Sequence, residues 1–356
     1  PATDGVRERS GARGSHPSMH PQPSSTVSLP ELDQLHAVIE RLGRNARVET
    51  LARVGGYPIY GIVLGTTDEA APCLLLVGGV HGLERIGTQV VLAYLRTLAE
   101  RLHWDELTRN ALERSRIAAI PLLNPVGMGA GTRANGNGVD LMRNGPTYPG
   151  GQASWFVGGQ RISPLLPWYM GQKGRFEPEA VALVEFVAQQ TLSSAASIAL
   201  DVHSGFGFQD RLWFPYAHTR RPFPSTPEVF ALSELLDQTL PHHVYQMEPV
   251  SRSYTIQGDL WDFMYDQARA HAAGLFLPMT LEMGSWTWVR KNPRQLFSLP
   301  GSFNPIKRHR LARTLRRHLL LIDFLHRATV GHDAWGSLQA QHRERCLSSA
   351  LNLWFT

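Results

Sequence analysis

Apolar residues occur along this chain in short continuous runs, separated by stretches in which they recur every three or four positions. The clearest continuous runs cover residues 73–77, 117–123, 198–202 and 275–281. Because these runs do not alternate with polar residues, they are typical of strands buried on both faces of a sheet. Further strand patterns occur at residues 47–54, 57–64, 212–216 and 243–247, and Gly55-Gly56 joins the first two as a hairpin.

The stretches between the runs have the spacing of amphipathic helices. They cover residues 30–42, 86–102, 178–191, 227–240 and 258–272. Strands that alternate with helices predict an α/β fold, here a single domain with a mixed, mostly parallel twisted sheet and helices on both faces. We expect this domain over residues 29–335, after a disordered leader at residues 1–28 that is rich in Ser, Pro, Gly, Arg and His. Residues 336–356 are predicted to form a C-terminal tail.

Charge and cysteine content narrow the class of protein. The net charge is +5, but the one dense basic run, at residues 307–317, contains leucines at helical spacing and is typical of the solvated face of a core-packed helix. We therefore expect no nucleic-acid partner. No apolar run approaches the roughly 20 residues that cross a bilayer, so no membrane partner is expected. Two cysteines exclude a disulfide framework and favour a reducing, cytoplasmic location.

Polar residues stand at the carboxyl ends of all four continuous runs. His81 and Glu84 follow the first run, Asn124 the second and His203 the third, and Glu282 ends the fourth. In α/β sheets the ligand site lies at this edge. Two histidines and one carboxylate, with a position left for water, meet the needs of a catalytic zinc, so these three residues are predicted to bind one zinc ion per chain.

Each of these motifs also has a simpler interpretation when it is taken alone. His81 and Glu84 would also suit a loop that caps the following helix, and His203 would suit a hydrogen-bonded core histidine. Glu282 is more informative, because a carboxylate at the end of an apolar strand is costly to bury unless it is paired or functional. The combination therefore favours a metal site.

The motifs between residues 78 and 285 resemble, in order, those of the zinc carboxypeptidase family, the metallopeptidases of carboxypeptidase A type. They are His81-x-x-Glu84, Asn124-Pro-x-Gly127, Gly138-Val-Asp140-Leu-x-Arg143, His203-Ser204, a tyrosine segment from Tyr254 to Tyr265, and Glu282 at the end of a strand. The resemblance implies an atypical, bacterial-like member without a pro-domain or disulfides. It also implies a metallopeptidase that hydrolyses a C-terminal peptide or peptide-like amide bond.

Carried over position by position, the resemblance implies roles in catalysis. Glu282 would be the general base that takes a proton from the attacking water and passes it to the leaving amine. Arg133 would stabilise the oxyanion, since a guanidinium stays charged. Asp140 would orient the ligand His81. Tyr254 would belong to a loop that closes on the substrate.

The resemblance also implies residues that bind the peptide or acyl-amino-acid substrate. Arg143 would grip a terminal carboxylate, for which its planar pair of donors is well suited. Ser204 would contact the bound peptide. Trp261 would line and narrow the pocket for the leaving residue, and Asp259 beside it would attract a basic group.

One departure from the family pattern concerns the residue before Arg143. The family usually has Asn there, whereas this chain has Met142, which cannot donate a hydrogen bond. Asn144 follows as a substrate-binding candidate, although a one-residue shift on an extended segment points it to the other side. The loss of a donor keeps open a deacylase of N-acyl amino acids, of the aspartoacylase and succinylglutamate desuccinylase type. A binding protein on an inactive scaffold is the third alternative, and Glu282 argues against it.

Overall fold

The eight strands in the described part of the chain form one sheet. The computed structural model describes residues 28–149, 153–205 and 207–356, so residues 1–27 of the predicted leader lie outside the described residues. The strands are β1 (Ala46–Val54), β2 (Tyr57–Gly65), β3 (Cys73–Gly78), β4 (Arg116–Ile120), β5 (Ala196–Ser204), β6 (Arg211–Phe214), β7 (Gln246–Pro249) and β8 (Leu275–Met283). Their order across the sheet is β1-β2-β4-β3-β5-β8-β6-β7.

The centre of the sheet is parallel and its margins are mixed. Strands β4, β3, β5 and β8 are mutually parallel neighbours. On one side β2 and β1 pair antiparallel, and on the other side β6 runs antiparallel to β8 while β7 is parallel to β6. Because the four central strands run the same way, their carboxyl ends share one edge of the sheet. The predicted fold class is confirmed.

Twelve helices occur in the described residues. They are α1 (Pro30–Leu42), α2 (Arg85–Trp104), α3 (Glu106–Leu112), α4 (Pro125–Ala130), α5 (Pro178–Thr191), α6 (Thr226–Thr239), α7 (Val250–Ser253), α8 (Leu260–Ala270), α9 (Trp286–Lys291), α10 (Leu299–Phe303), α11 (Arg308–Val330) and α12 (Ala340–Trp354). No helix of the described part is long and apolar enough to span a bilayer.

Helices cover both faces of the sheet. Helices α2 and α11 contact β3 and β5 as well as each other, and α1 packs on α2. Helices α5 and α8 form a second layer, in which α5 contacts β1, β2 and β3 while α8 contacts β8. All six residues of β3 are buried, as expected for a central strand that is covered on both sides.

A glycine lets α2 approach the strand that leads into the site. A Cβ atom added to Gly87 would lie 2.1 Å from the carbonyl oxygen of Val202 in β5, so no larger residue fits there. This close approach sets the start of α2 against the end of β5. The turn before α2 therefore lies beside the residues that follow Val202.

The predicted C-terminal tail contains a helix that packs on the domain. Helix α12 lies against α6, and its Cys346, Ala350 and Trp354 side chains are buried in the main apolar core. The other cysteine, Cys73, is fully buried in β3. Neither cysteine forms a disulfide, and burial raises the pKa of the Cys73 thiol to about 11. Both thiols therefore belong to packed interior positions.

Candidate metal centre and active site

Three side chains converge at the carboxyl edge of the sheet. His81 and Glu84 lie in the turn between β3 and α2, and His203 lies near the end of β5. The Nδ1 atoms of the two histidines lie 3.0 Å apart, and each lies 3.0 Å from a carboxylate oxygen of Glu84. All three residues are buried. The structure therefore brings together the three predicted metal ligands.

The outer nitrogens of both rings face carboxylates. His81 Nε2 donates to Asp140 Oδ1 over 3.0 Å, and His203 Nε2 donates to Asp201 Oδ2 over 2.7 Å. Because an ionised carboxylate only accepts hydrogen bonds, each Nε2 carries the ring proton, and Nδ1 of a neutral ring then holds a lone pair. The two Nδ1 lone pairs and the Glu84 carboxylate therefore face one another.

Acceptor atoms this close together repel one another unless a cation lies between them. Four ligands held about 2.0 to 2.1 Å from a tetrahedral zinc lie roughly 3.3 Å from one another, close to the separations of the three donor atoms here. Burial lowers the pKa of His203, but the charges of Asp201 and Glu84 outweigh burial and raise it well above its ordinary value. The residues therefore fit zinc. Their donor atoms are of the type that zinc binds, and the surrounding carboxylates favour a positive charge at this position.

The carboxylate of Asp140 is compensated by a charged partner. Its Oδ2 accepts from Arg133 Nε over 2.9 Å, while its Oδ1 accepts from His81 and from the backbone N–H of Met142. Burial opposes the charge on Asp140, but Arg133, Arg143 and His81 outweigh it and hold the pKa of Asp140 well below its ordinary value. Asp140 thus lies where the resemblance implies, on the ring of His81.

The carboxylate of Asp201 has a neutral partner instead. Its Oδ2 accepts from His203 and, over 2.9 Å, from the indole N–H of Trp261 at the start of α8. Asp201 is fully buried, and its Oδ1 has no hydrogen-bond partner among the described residues. No role was expected for Asp201 from the sequence. The signal was present, because residues two apart on a strand share a face and Asp201 is two residues before His203.

Glu282 lies beside the metal ligands with part of its carboxylate unpaired. It is on β8, directly opposite His203 of β5 in the strand register. Its Oε2 is buried and has no hydrogen-bond partner in the described part of the chain. Burial and the nearby charge of Glu84 together raise the pKa of Glu282 to about 8, against the opposing charges of His203 and Arg133. A buried carboxylate that is held without a partner suits a proton acceptor.

Arg133 and Tyr254 lie around the same space. Arg133 Nη1 lies 3.3 Å from a Glu84 oxygen, and its side chain is 28% exposed, so one side of the guanidinium faces the open edge. Tyr254 follows α7, packs edge-to-face on Trp213, and has its pKa raised by burial. The charges of Arg143, Glu282 and Arg133 also act on Tyr254. The structure thus groups the predicted catalytic residues.

The backbone of Arg143 is in close contact with Gly258, and its side chain lies near this group. Gly258 has φ +73°, and a Cβ atom there would lie 2.3 Å from the carbonyl oxygen of Arg143. Gly145 N–H donates to the Gly258 carbonyl over 2.7 Å, which joins the two segments. Arg143 is 3% exposed, donates from Nη2 to Val157, and has a buried Nε without a partner among the described residues. One donor of its guanidinium is therefore unused.

Comparison with known proteins decides the family. The sequence profile of the family described as zinc carboxypeptidase matches residues 35–301, which is most of the chain. The chain belongs to the zinc carboxypeptidase family. Two curated relatives are carboxypeptidase SOL1 of Arabidopsis thaliana, 29% identical over 111 residues, and carboxypeptidase E of Caenorhabditis elegans, 27% identical over 198 residues. The matches cover 30% and 48% of this chain but only 23% and 40% of those relatives.

Solved structures of carboxypeptidases share the fold. Thrombin-activatable fibrinolysis inhibitor aligns with a TM-score of 0.64 and 19% identity over 88% of this chain and 78% of that chain. Carboxypeptidase A from Helicoverpa armigera aligns with a TM-score of 0.57 and 18% identity over 83% and 74% of the two chains. At these identities the likeness extends to the fold alone.

Two residues predicted to bind substrate, Asn144 and Ser204, have other partners in this family member. The Asn144 carboxamide donates to the carbonyls of Met170 and Arg175 and accepts from the backbone of Glu177. Its polar atoms are therefore used within the protein. The Ser204 hydroxyl donates to the Phe303 carbonyl over 2.8 Å, and its backbone N–H donates to Glu84.

The polar atoms of Asp259 and Trp261 likewise form hydrogen bonds within the protein. Asp259 caps the start of α8 by accepting from the backbone N–H of Asp262 over 2.9 Å. Burial and the charge of Asp262 together raise the pKa of Asp259 to about 8. Trp261 is 3% exposed and holds Asp201, as described above. The resemblance placed Trp261 in a pocket wall, but its polar atom points to the carboxylate on His203.

A loop forms one wall of the site. The sequence between residues 147 and 174 predicts a long loop, and the structure joins its residues 154 and 158 to residues 255 and 257 through backbone hydrogen bonds. These contacts lie directly after Tyr254. Residues 150–152 of the loop lie outside the described residues. The loop therefore packs on the segment that carries the predicted closing tyrosine.

A second group of potential metal ligands is already occupied by a side chain. Glu234, His342 and Cys346 bring ligand atoms together near α6 and α12. The guanidinium of Arg345 lies among them and bonds to Glu234 over 2.9 Å and to His342 over 2.8 Å. A cationic side chain thus fills the place that a metal ion would take.

Proposed function

We propose that this protein is a zinc-dependent metallopeptidase that hydrolyses the C-terminal peptide bond of its substrate. The observation that carries the proposal is the buried, unpartnered Oε2 of Glu282, which lies opposite His203 beside a three-residue ligand set. Zinc supplies a Lewis acid that polarises a carbonyl and lowers the pKa of water. A protein that bound its ligand without hydrolysing it would not need a proton acceptor at this position.

The residues around the ligands divide the work of hydrolysis. Glu282 takes a proton from the attacking water and returns it to the leaving nitrogen. Arg133, held by Asp140 on one side, keeps a fixed positive charge toward the carbonyl oxygen, where negative charge develops. Tyr254 covers the substrate from the segment after α7.

Arg143 supplies selectivity for a free C-terminus. Its buried Nε has no partner among the described residues, so it can donate to an anionic group of the substrate. Hydrogen bonds from a guanidinium to a carboxylate are among the strong ones in proteins. The terminal carboxylate is the one anion that every carboxypeptidase substrate carries.

The resemblance implies that Trp261 lines the pocket for the leaving residue. Its indole is 3% exposed and donates to Asp201 over 2.9 Å, so it cannot move aside for a large side chain without losing this hydrogen bond. We therefore propose that the leaving residue is small.

A second candidate function is deacylation of an N-acyl amino acid. It is favoured by Met142, which is 6% exposed, belongs to the apolar core and offers no donor beside Arg143. The two functions share the metal and Glu282 and differ in the acyl side of the cleaved bond, which is a peptide chain in one case and a simple acyl group in the other. Mass spectrometry on matched peptides and acyl-amino acids distinguishes them.

Arg143→Gln should lower kcat/KM for peptides with a free C-terminus by roughly ten- to a hundredfold, since it removes a charged hydrogen bond. Amidated peptides should show no comparable loss, because they present no anion. The measurement is the ratio of kcat/KM on matched free-acid and amide peptides. The exposed Arg175 on the neighbouring loop gives a control, Arg175→Gln, that leaves the ratio unchanged. An unchanged ratio in Arg143→Gln contradicts the role in carboxylate binding.

Trp261→Phe should weaken zinc binding by up to about tenfold, the lower end of the range for partners of metal ligands. The indole N–H fixes Asp201, which in turn fixes the ring of His203. Competition with a chromogenic chelator measures the affinity. Trp335→Phe is the matched control, because it also removes a buried indole hydrogen bond, here to the Ala328 carbonyl over 2.8 Å. Equal zinc affinity in the two variants contradicts the role of Trp261.

A further inference from the structure

A cavity of about 450 Å³ lies beside α11, on residues that serve no role in the proposed reaction. Its walls are the end of α9, the loop after β8 and one face of α11 from its first turn. Four cationic side chains and two histidines line it: Lys291, Arg310, Arg313 and Arg317, with His309 and the buried His318. The volume is within the range of small-molecule sites.

Positive charge in this cavity exceeds negative charge. Asp210 is the one carboxylate that lines it among the described residues. Asp210 is already paired, because its Oδ2 accepts from Arg317 over 2.7 Å and its Oδ1 accepts from the backbone N–H of Gly284 over 2.9 Å. Lys291 and Arg313 have no salt-bridge partner in the described part of the chain. The cavity therefore keeps a surplus of cations.

One of these cations is held rigidly by neutral groups. Arg310 donates to the carbonyls of Trp288 and Lys291, over 3.1 and 3.3 Å, and to the side-chain oxygen of Gln295 over 3.3 Å. None of these acceptors is charged, so the guanidinium is fixed in place while its charge stays uncompensated. A guanidinium that is ordered in advance loses little entropy when it binds an anion.

The first turn of α11 adds to the same surplus. It contains no acidic residue, and the residue before it, Lys307, makes no side-chain cap. The amino end of a helix carries partial positive charge, and acidic residues usually stand there. His309 and Arg310 instead bring basic groups to this end and into the cavity wall. An anion in the cavity would relieve this repulsion.

We propose that this cavity binds a small phosphate-bearing anion. Several guanidinium groups around one space match the charge and the planar hydrogen-bonding geometry of phosphate oxygens better than they match a single carboxylate. The cavity is larger than a phosphate group alone needs, so an organic phosphate fits it. None of His81, Glu84 and His203 lines this cavity, and the proposal does not depend on the proposed peptidase activity.

The test is calorimetric titration of the zinc-loaded protein with AMP, inorganic phosphate and adenosine at constant ionic strength. AMP should bind saturably, and adenosine should not, because it lacks the phosphate. Arg313→Gln and Lys291→Gln should each weaken AMP binding about tenfold or more. Both residues are exposed, so the fold should be unaffected. Binding of phosphate as tightly as AMP would assign the site to the oxyanion alone, and tighter binding of AMP would assign it to an organic phosphate.

The control is Arg316→Gln on the same helix. Arg316 is exposed but does not line the cavity, so this variant should change AMP affinity less than twofold. An equal loss in Arg316→Gln and Arg313→Gln would show that the anion responds to the net charge of the surface, and it would overturn the proposal. Unchanged binding in Arg313→Gln and Lys291→Gln would place the anion elsewhere, including at the zinc, and would also overturn it.

Discussion

Glu282→Gln should lower kcat by roughly 10²- to 10⁴-fold, because an amide neither accepts nor returns the proton of the attacking water. The same variant should keep its zinc and its fold. Burial and the charges of Glu84 and Asp201 raise the pKa of Glu282 to about 8, so a charged carboxylate at this position destabilises the folded state. A neutral amide of the same shape removes this unfavourable charge. With zinc removed from both proteins, the melting temperature of the variant should therefore equal or exceed that of the wild type.

The measurement combines turnover, metal content and thermal unfolding on one preparation. Glu185→Gln on α5 is the matched control, since Glu185 is exposed and remote from the ligands. It should leave all three quantities unchanged. Near-normal turnover of Glu282→Gln on any substrate of the wild type would remove Glu282 from the mechanism. Loss of zinc together with activity would assign Glu282 to the metal shell instead.

Replacing any one of His81, Glu84 or His203 by Ala should reduce zinc from one ion per chain to near zero after dialysis. Loss of a neighbour of a ligand already costs about 10- to 100-fold in affinity, so loss of a ligand itself should cost more. Elemental analysis of the dialysed protein measures the content. His342→Ala is the control, because Arg345 already fills the second potential site. Full zinc in His203→Ala would contradict the ligand assignment.

The two histidine variants should differ in stability. His81→Ala leaves Asp140 with the charged Arg133, whereas His203→Ala leaves the buried Asp201 with only the indole of Trp261. An uncompensated buried carboxylate is costly. We therefore expect the metal-free His203→Ala protein to unfold at a lower temperature than metal-free His81→Ala. The opposite order would show that Asp201 is protonated or hydrated in the variant.

Helices and strands with a regular pattern of apolar residues were predictable from the sequence. Helix α5 was predicted at residues 178–191 and found there, since Pro178 starts it and its apolar stripe is continuous. The strand predicted at residues 117–123 ends at Ile120 instead, because Pro121 cannot donate to a strand ladder. The strand predicted at 243–247 begins only at Gln246. Helix α12 was missed, since its few buried side chains give a weak pattern.

The metal ligands were predictable because the strand ends of a parallel sheet meet at one edge, so residues far apart along the chain are expected to lie close together there. The residues that hydrogen-bond to the ligands were harder to predict. Asp201 stands two residues before His203 but was given no role, and Trp261 was assigned to a pocket wall. Its contact depends on where α8 places the indole relative to β5, which no local pattern gives. The same applies to Asn144, whose carboxamide is bonded to a loop 26 to 33 residues further along.

The buried cysteines bear on where this protein can work. The expectation of a cytoplasmic location came from the low cysteine count. Exchange with oxidised glutathione requires a thiolate that solvent can reach, yet Cys73 and Cys346 are both fully buried and burial disfavours the thiolate of each. The folded chain should thus keep two free thiols in an oxidising compartment as well as in a reducing one. Its cysteines act as small apolar residues, and the cellular location stays a prediction that they do not constrain.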